Sequence, residues 1–562
     1  MVHASRLFEI RNRFDSSAAA EKLELLRSLK YDTIRSASEL QRLHAALCFI
    51  RAFPNSMAHY RLAHLELRRF EDRIEQCRDT VLQQLSDTGI AGTPVYYAFS
   101  YEVAAWLARR APGAVSIDWE ETQDSQRIDD ILTLLLEPAE DEYFDSGYVG
   151  AREWIEEVSA GVDGTDFDWL LAQLRQNHRV PTWSQLYDAA DLWLTWDLSH
   201  SKFAKLHNRF PVKQIRTREH GLRKPAGSVK SVIMRPLASI TRLSRRDGRR
   251  MIDVAMASLA VRHRETYHFN HANPNEVYVA DIGEGVSVAV FGLQPDARYP
   301  LECTMGYLIL SNGTPVGYGG SSIVFQQVNT GINIFDEYRG GEAAFLWVQV
   351  MRVYHELTGC TRFIANPYQF GAENTEALKS GAFWFYYRLG YRPVLPEVRK
   401  LAAREYGRIR NDRIYRSDIK TLRRLASCDM HLNLPGARAS DLFDEQWLMT
   451  SSMLATRILV RAGGKTRRHS VDRVAAQVAR DLDLRNLRKW TPAERRAFRR
   501  IAPIVAITDP QTWSVAAKRD LRRLLRAKGA DFEVGYAQLL RQHDVFLAAL
   551  RKACRRARHL QV

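Results

Sequence analysis

The spacing of apolar positions changes twice along the chain, and each change predicts a different kind of structure. From about Ala18 to Trp196 apolar residues recur at helical spacing, as in Leu23, Leu26 and Leu29 and again in Leu43, Leu47 and Ile50. Breaks such as Gly92-Thr93-Pro94 and Pro112-Gly113 punctuate this pattern. The block reads as all-α, with Trp183, Trp193 and Trp196 as core aromatics rather than a ligand cage. After a helix predicted from about Asp247 to Tyr267, the period becomes two. Val277, Val279 and Asp281 run into Gly283-Glu284-Gly285, and Val286, Val288 and Val290 resume the alternation, which predicts a hairpin. A second hairpin is predicted from Tyr307 to Phe325, because Asn312-Gly313 supplies the two positive-φ residues of a tight turn.

Beyond Gly331 a short strand, Ile332 to Phe335, leads into Asp336-Glu337-Tyr338-Arg339-Gly340-Gly341-Glu342-Ala343-Ala344. That turn opens a helix carrying Ala344, Trp347, Val348, Met351 and Tyr354 on one face, with Gly359 placed to stop it. Thr361 to Ala365 predicts another strand, and Leu378, Ala382, Phe385 and Leu389 predict a helix from about Thr375 to Gly390. Past Pro396 the pattern is helical again, with candidates at 403–410, 418–426, 495–504, 516–528 and 536–558 and no further strand evident.

Charge divides the chain along the same lines. Net charge is −13 over residues 1–201, +13 over 202–250, −4 over 251–395 and +20 over 396–562. Four units follow: an acidic all-α block (1–201), a basic connector (202–250), a mixed middle (251–396) and a basic helical region (397–562). The arginine-rich tail has three readings. Its arginines, Arg495, Arg496, Arg499 and Arg500 among them, form solvated helix faces, bind an anionic partner such as RNA, DNA or acyl carrier protein, or dock on the acidic first block.

Composition narrows the function classes. Hydrophobic residues make up 46% of the chain, as in globular proteins. No apolar run reaches the ~18 residues of a membrane span, and the first fifteen residues carry Arg6, Glu9, Arg11, Arg13 and Asp15. Six widely spaced cysteines include no C-x-x-C pair, which points to reduced thiols and a cytoplasmic location. His263, His268 and His271 cluster at a predicted helix end with uneven spacing, and no metal is expected there.

A strand delivering a glycine-rich turn into a helix start makes an anion site, because the first helical amides lack partners and the helix dipole favours negative charge. Here Glu337-Tyr338-Arg339-Gly340-Gly341 is followed some forty residues later by Ala382-Phe383-Trp384-Phe385-Tyr386-Tyr387-Arg388-Leu389-Gly390-Tyr391. Together the two resemble the GNAT-type acyl-CoA N-acyltransferase superfamily, over about residues 275–395. The family's turn reads roughly P-E-Y-R-G-x-G-x-G/A and its later helix A-x-x-x-Y-x-x-x-G-F/Y, matched by Ala382, Tyr386, Gly390 and Tyr391.

The resemblance implies an α+β fold: a GNAT-like mixed sheet with packed helices in the middle, flanked by the all-α and basic helical regions. It implies that Tyr338, Arg339, Gly340, Gly341, Glu342, Ala343 and Ala344 hold the pyrophosphate of an acetyl-CoA or longer acyl-CoA donor. It implies that Tyr386 acts as general acid toward the leaving thiolate, with Glu337 as the nearest carboxylate and a small-molecule or peptide amine as acceptor. Glu342 stands where the family has glycine, and for Tyr386 core packing competes with catalysis. A non-enzymatic alternative keeps the fold as a scaffold or a nucleic-acid-associated module.

Overall fold

The structure is a computed structural model and describes the chain except for residues 1, 30–33, 123–124, 138, 146–148, 177–179, 219–220, 413 and 560–562. Thirteen strands fall into two sheets among the described residues. The smaller sheet holds β1 (Pro94–Tyr97), β2 (Val115–Ile117) and β3 (Leu194–Asp197), with β3 in the centre and both partners antiparallel to it. The first block is therefore not purely helical. The strands are three or four residues long, too short to override the helical pattern around them. Trp196 on β3 is fully buried, its ring edge-on to Trp106 at 6.3 Å, which accounts for the aromatic stretch as core.

The larger sheet is built from β4 (Ile240–Arg242), β5 (Ala272–Gly283), β6 (Val286–Leu293), β7 (Cys303–Ser311), β8 (Thr314–Val324) and β9 (Gln327–Thr330), followed by β10 (Asn333–Ile334), β11 (Arg362–Ala365), β12 (Arg392–Pro393) and β13 (Met430–Asn433). Its order is β12-β13-β11-β9-β8-β7-β6-β5-β4, with β10 also on β8. Every pairing is antiparallel except β9 with β11. Both predicted hairpins form. Glu284-Gly285 and Asn312-Gly313 all have φ between +48° and +79°, the conformation a two-residue hairpin turn needs.

The sheet takes strands from beyond the middle segment at both ends. The connector supplies edge strand β4, and β13 inserts between β11 and β12 after a helical excursion that includes Pro396–Asn411. Met-His-Leu-Asn is too short to announce itself among helices, and pairing on both sides makes it a strand.

Helices cover both faces. On β5, Val277 meets the Arg245–Ala260 helix, so close that a Cβ on Gly248 would overlap the Pro274 carbonyl. The neighbouring Glu276 points the other way and accepts from the Val534 amide at 2.9 Å, at the start of the Glu533–Arg541 helix. Around it, wholly buried charges lock the C-terminal region to the sheet: Arg298 lies 3.4 Å from Glu276 and 3.7 Å from Glu533, and Lys528 Nζ donates to Glu533 at 2.6 Å.

Two predicted helices are broken. Residues 375–388 form Thr375–Ser380 and Ala382–Arg388, divided at Gly381 with φ +67°. Residues 536–558 divide at His543, whose Nδ1 accepts from the Phe546 amide and starts Asp544–His559. The tail also contains Gln446–Ala462 and Arg467–Asp481, which were not among the candidates. No helix among the described residues is long and apolar enough to cross a membrane. All six cysteines are free thiols, five of them buried.

Candidate functional site

The parallel pair β9 and β11 is joined over only three registers, Gln327 to Asn329 against Arg362 to Ile364. The chain then leaves β11 and continues along β8 as β10, opposite Tyr318 and Gly317. Between β9 and β10, Gly331 and Ile332 pair with neither neighbour, and two tyrosines satisfy them instead. Tyr307 donates its hydroxyl proton to the Gly331 carbonyl, and the Tyr386 hydroxyl accepts from the Ile332 amide. The opening between the strands is thus a side-chain-filled notch. A Cβ on Gly331 would overlap the Gln369 carboxamide, and one on Gly319 would meet the Tyr307 ring.

Tyr386 is 2% exposed. Its ring packs edge-on to Trp347 at 6.2 Å, Phe370 at 6.1 Å and Tyr391 at 5.4 Å, which ties the Ala382–Arg388 helix to the one that follows the turn. Burial raises its hydroxyl well above the ordinary tyrosine range, so it stays protonated at neutral pH.

Past β10 the chain makes a short helical turn, Asp336–Tyr338, then Gly340 at φ +81°, and enters the Ala343–Thr358 helix. Gly359 stops that helix at φ +72°. Arg339 and Gly340 are exposed, and Gly341, Ala343 and Ala344 are half-buried. Among the described residues, no hydrogen bond is donated by the backbone N–H groups from Gly340 to Phe345, whereas Leu346 bonds to the Glu342 carbonyl in the ordinary helical way.

The side chains around this turn divide by role. Tyr338 is buried against Phe53, which caps the end of the Ala37–Ala52 helix, at 6.5 Å between rings. Arg339 reaches outward to Asp336 at 2.9 Å and Glu376 at 2.8 Å. Glu342 turns its carboxylate away from the amides and buries it fully. There it accepts from Arg218 Nη2 at 3.2 Å and from the Arg223 backbone N–H at 2.8 Å and Nε at 3.2 Å. The residue that departs from the family pattern is a buried latch between the connector and the turn, its charge met by two guanidinium groups. Neither Arg218 nor Arg223 stood out in the connector's charge run, because nothing local ties them to a glutamate more than a hundred residues away.

Glu337 lies on the other side of the strand end. Its carboxylate meets Lys205 Nζ at 2.7 Å and Arg262 Nη2 at 3.2 Å. Burial acts to raise it, but those two cations hold it well below the usual carboxylate range. It floors a cleft of about 560 Å³ shared with Phe335, His44, Arg42 and His263. A carboxylate held so firmly ionised is a poor proton acceptor and a good anchor. Tyr386 and Glu337 therefore serve separate environments, the first in the notch and the second in the cleft.

The three histidines do not converge. His271 faces Glu102 at 3.9 Å, His263 stacks on Tyr97 at 5.2 Å, and His268 fills the space left by Gly320. No group of three or more His, Cys, Asp or Glu side chains arranged to hold a metal is found among the described residues.

Comparison of the chain with protein-family models, with curated proteins and with solved structures finds no match in any of the three.

Proposed function

We propose that the chain is an N-acyltransferase that moves an acyl group from acyl-CoA, or a related thioester donor, to an amine acceptor. The observation that carries this reading is the row of unpartnered amides from Gly340 to Phe345 at the start of a sixteen-residue helix, on a chain that has just parted from its parallel neighbour. Amides so placed suit a pyrophosphate. The Glu342 carboxylate does not compete with it, because Arg218 and Arg223 already neutralise that group.

In this reading the amine nitrogen attacks the thioester carbonyl, the tetrahedral intermediate expels the thiolate, and a proton passes to sulfur as the C–S bond breaks. Tyr386, kept protonated by burial, is the donor of that proton. The proton lost by the amine returns through water to the Tyr386 oxygen, which restores the acid, and Glu337 positions the strand end through Lys205 and Arg262 rather than serving as base.

A second reading has its own observation. Gln369, Tyr307 and Tyr386 occupy the notch between β9 and β10, as expected of a scaffold whose donor channel has closed. Calorimetric titration with acetyl-CoA and longer acyl-CoAs separates the two. The acyltransferase reading expects saturable binding, strengthened by Gln369→Ala. It also expects turnover reduced about 10²-fold or more by Tyr386→Phe with binding unchanged. Absence of binding in both the wild type and Gln369→Ala would leave the scaffold.

A further inference from the structure

A second basic feature lies away from the turn, where the end of the connector meets Arg110 of the first block. A cleft of about 840 Å³ is walled by five arginines, Arg110, Arg245, Arg246, Arg249 and Arg250, together with two aspartates and no apolar residue. Both aspartates are engaged. Asp253 accepts from Trp106 Nε1 at 2.9 Å and from the Arg110 guanidinium, and Asp247 Oδ2 accepts from the Ser244 hydroxyl at 2.9 Å. Arg245, Arg246, Arg249 and Arg250 are exposed, and among the described residues none of their side chains forms a hydrogen bond or ion pair.

Their placement works against the free protein. All four sit in the first two turns of the Arg245–Ala260 helix, and the dipole disfavours the two in the first turn, Arg245 and Arg246. Arg245 with Arg249 and Arg246 with Arg250 are like-charge pairs one helical turn apart. Asp247 and Asp253 offset only part of this repulsion, since five arginines face two carboxylates, and an external anion would offset the rest. The guanidinium fork matches phosphate in bidentate fashion, and the four forks not held by Asp253 exceed the needs of a single phosphate. The absence of any apolar wall removes the means of burying a lipid tail or the apolar face of a partner helix, whereas nucleic-acid interfaces are polar and strongly cationic.

We propose that this arginine cleft binds the phosphodiester backbone of a nucleic acid, independently of base sequence. Several arginines of the C-terminal tail, by contrast, are paired within the molecule: Arg496 with Asp296, Arg499 with Asp472 and Arg526 with Glu494.

The test is fluorescence anisotropy of the full chain with labelled single-stranded RNA and duplex DNA of mixed sequence, titrated against salt. Arg245→Ala/Arg246→Ala/Arg249→Ala/Arg250→Ala should lose at least about tenfold in affinity near 0.1 M salt. It should also lower the slope of log affinity against log salt by roughly 2 to 3, as expected when up to four phosphate contacts disappear. Arg457→Ala/Arg461→Ala on the tail should change neither, and thermal unfolding should show the quadruple variant folded. The arms show whether RNA or duplex DNA is preferred. Wild-type affinity in the quadruple variant, loss confined to the tail variant, or equal competition by polyglutamate or phosphatidylserine vesicles would each overturn the proposal.

Discussion

Two helix starts in this chain have opposite electrostatics. At Ala343 the helix begins behind a carboxylate, Glu342, that is turned inward onto Arg218 and Arg223, and a row of amides is left without partners. At Arg245 the helix is capped by Ser244, whose hydroxyl accepts from the Asp247 amide, and four unpartnered arginines surround it. The first start has satisfied its charged side chain and left its backbone open. The second has capped its Asp247 amide and left its charged side chains open. An anion would meet N–H groups and a dipole at one and guanidinium forks at the other, so the first suits a compact pyrophosphate and the second an extended polyanion.

The largest effect should come from breaking the latch. Glu342→Ala leaves Arg218, 1% exposed at its side chain, with only the half-exposed Glu284 as counter-charge, and should cost about 3 kcal/mol in urea unfolding, the low end for breaking a buried pair. If Glu342→Ala instead proves neutral, the latch is not what orders the turn, and the contrast with Arg245 loses its first half.

Acid gives the next effect. Burial keeps His44 at about 3, His268 at about 4 and, with Arg362 and Arg399 adding to it, His431 at about 4. These folded-state values lie below the unfolded value of about 6.5, so their contribution is complete above that pH and is lost as pH falls toward 4. At pH 5 each should cost about 2 kcal/mol, and His431→Asn should reduce the acid loss by that amount. Equal pH profiles for the variant and the wild type would mean that His431 is already charged in the fold.

Smaller, and opposite in sign, is the effect of the arginines on the free protein. The quadruple Arg→Ala variant should be more stable than wild type by about 0.5 to 1 kcal/mol at low salt, the gain fading as salt rises. A stability loss would show that these side chains have partners in the protein. The smallest effect belongs to Gln369→Ala, which should barely change stability and instead be read in acyl-CoA titration.

Local chemistry made much of the sheet legible. Asn312-Gly313 and Glu284-Gly285 marked their turns because few other residues accept positive φ, and Gly359 marked its helix end for the same reason. Gly381 carried the same signal, and its helix was read as continuous only because Leu378, Ala382, Phe385 and Leu389 keep their spacing across the break. The notch had a signal too: Gly319, Gly320 and Gly331 interrupt strands where the Tyr307, His268 and Gln369 side chains need room.

What sequence alone determined, then, is whatever a residue decides with its immediate neighbours: the alternation of β5 to β8, their turns, the glycine-rich entry to the Ala343–Thr358 helix and the charge of each block. Tertiary structure decided the rest. It made 430–433 a strand by offering edges on both sides, set Tyr386 on the Ile332 amide, and turned Glu342 from an anion beside the turn into a latch held by Arg218 and Arg223. The physical reason is that a buried charge or an unpaired backbone group is settled only by whichever partner the fold brings to it, and that partner's distance along the chain leaves no trace in local pattern.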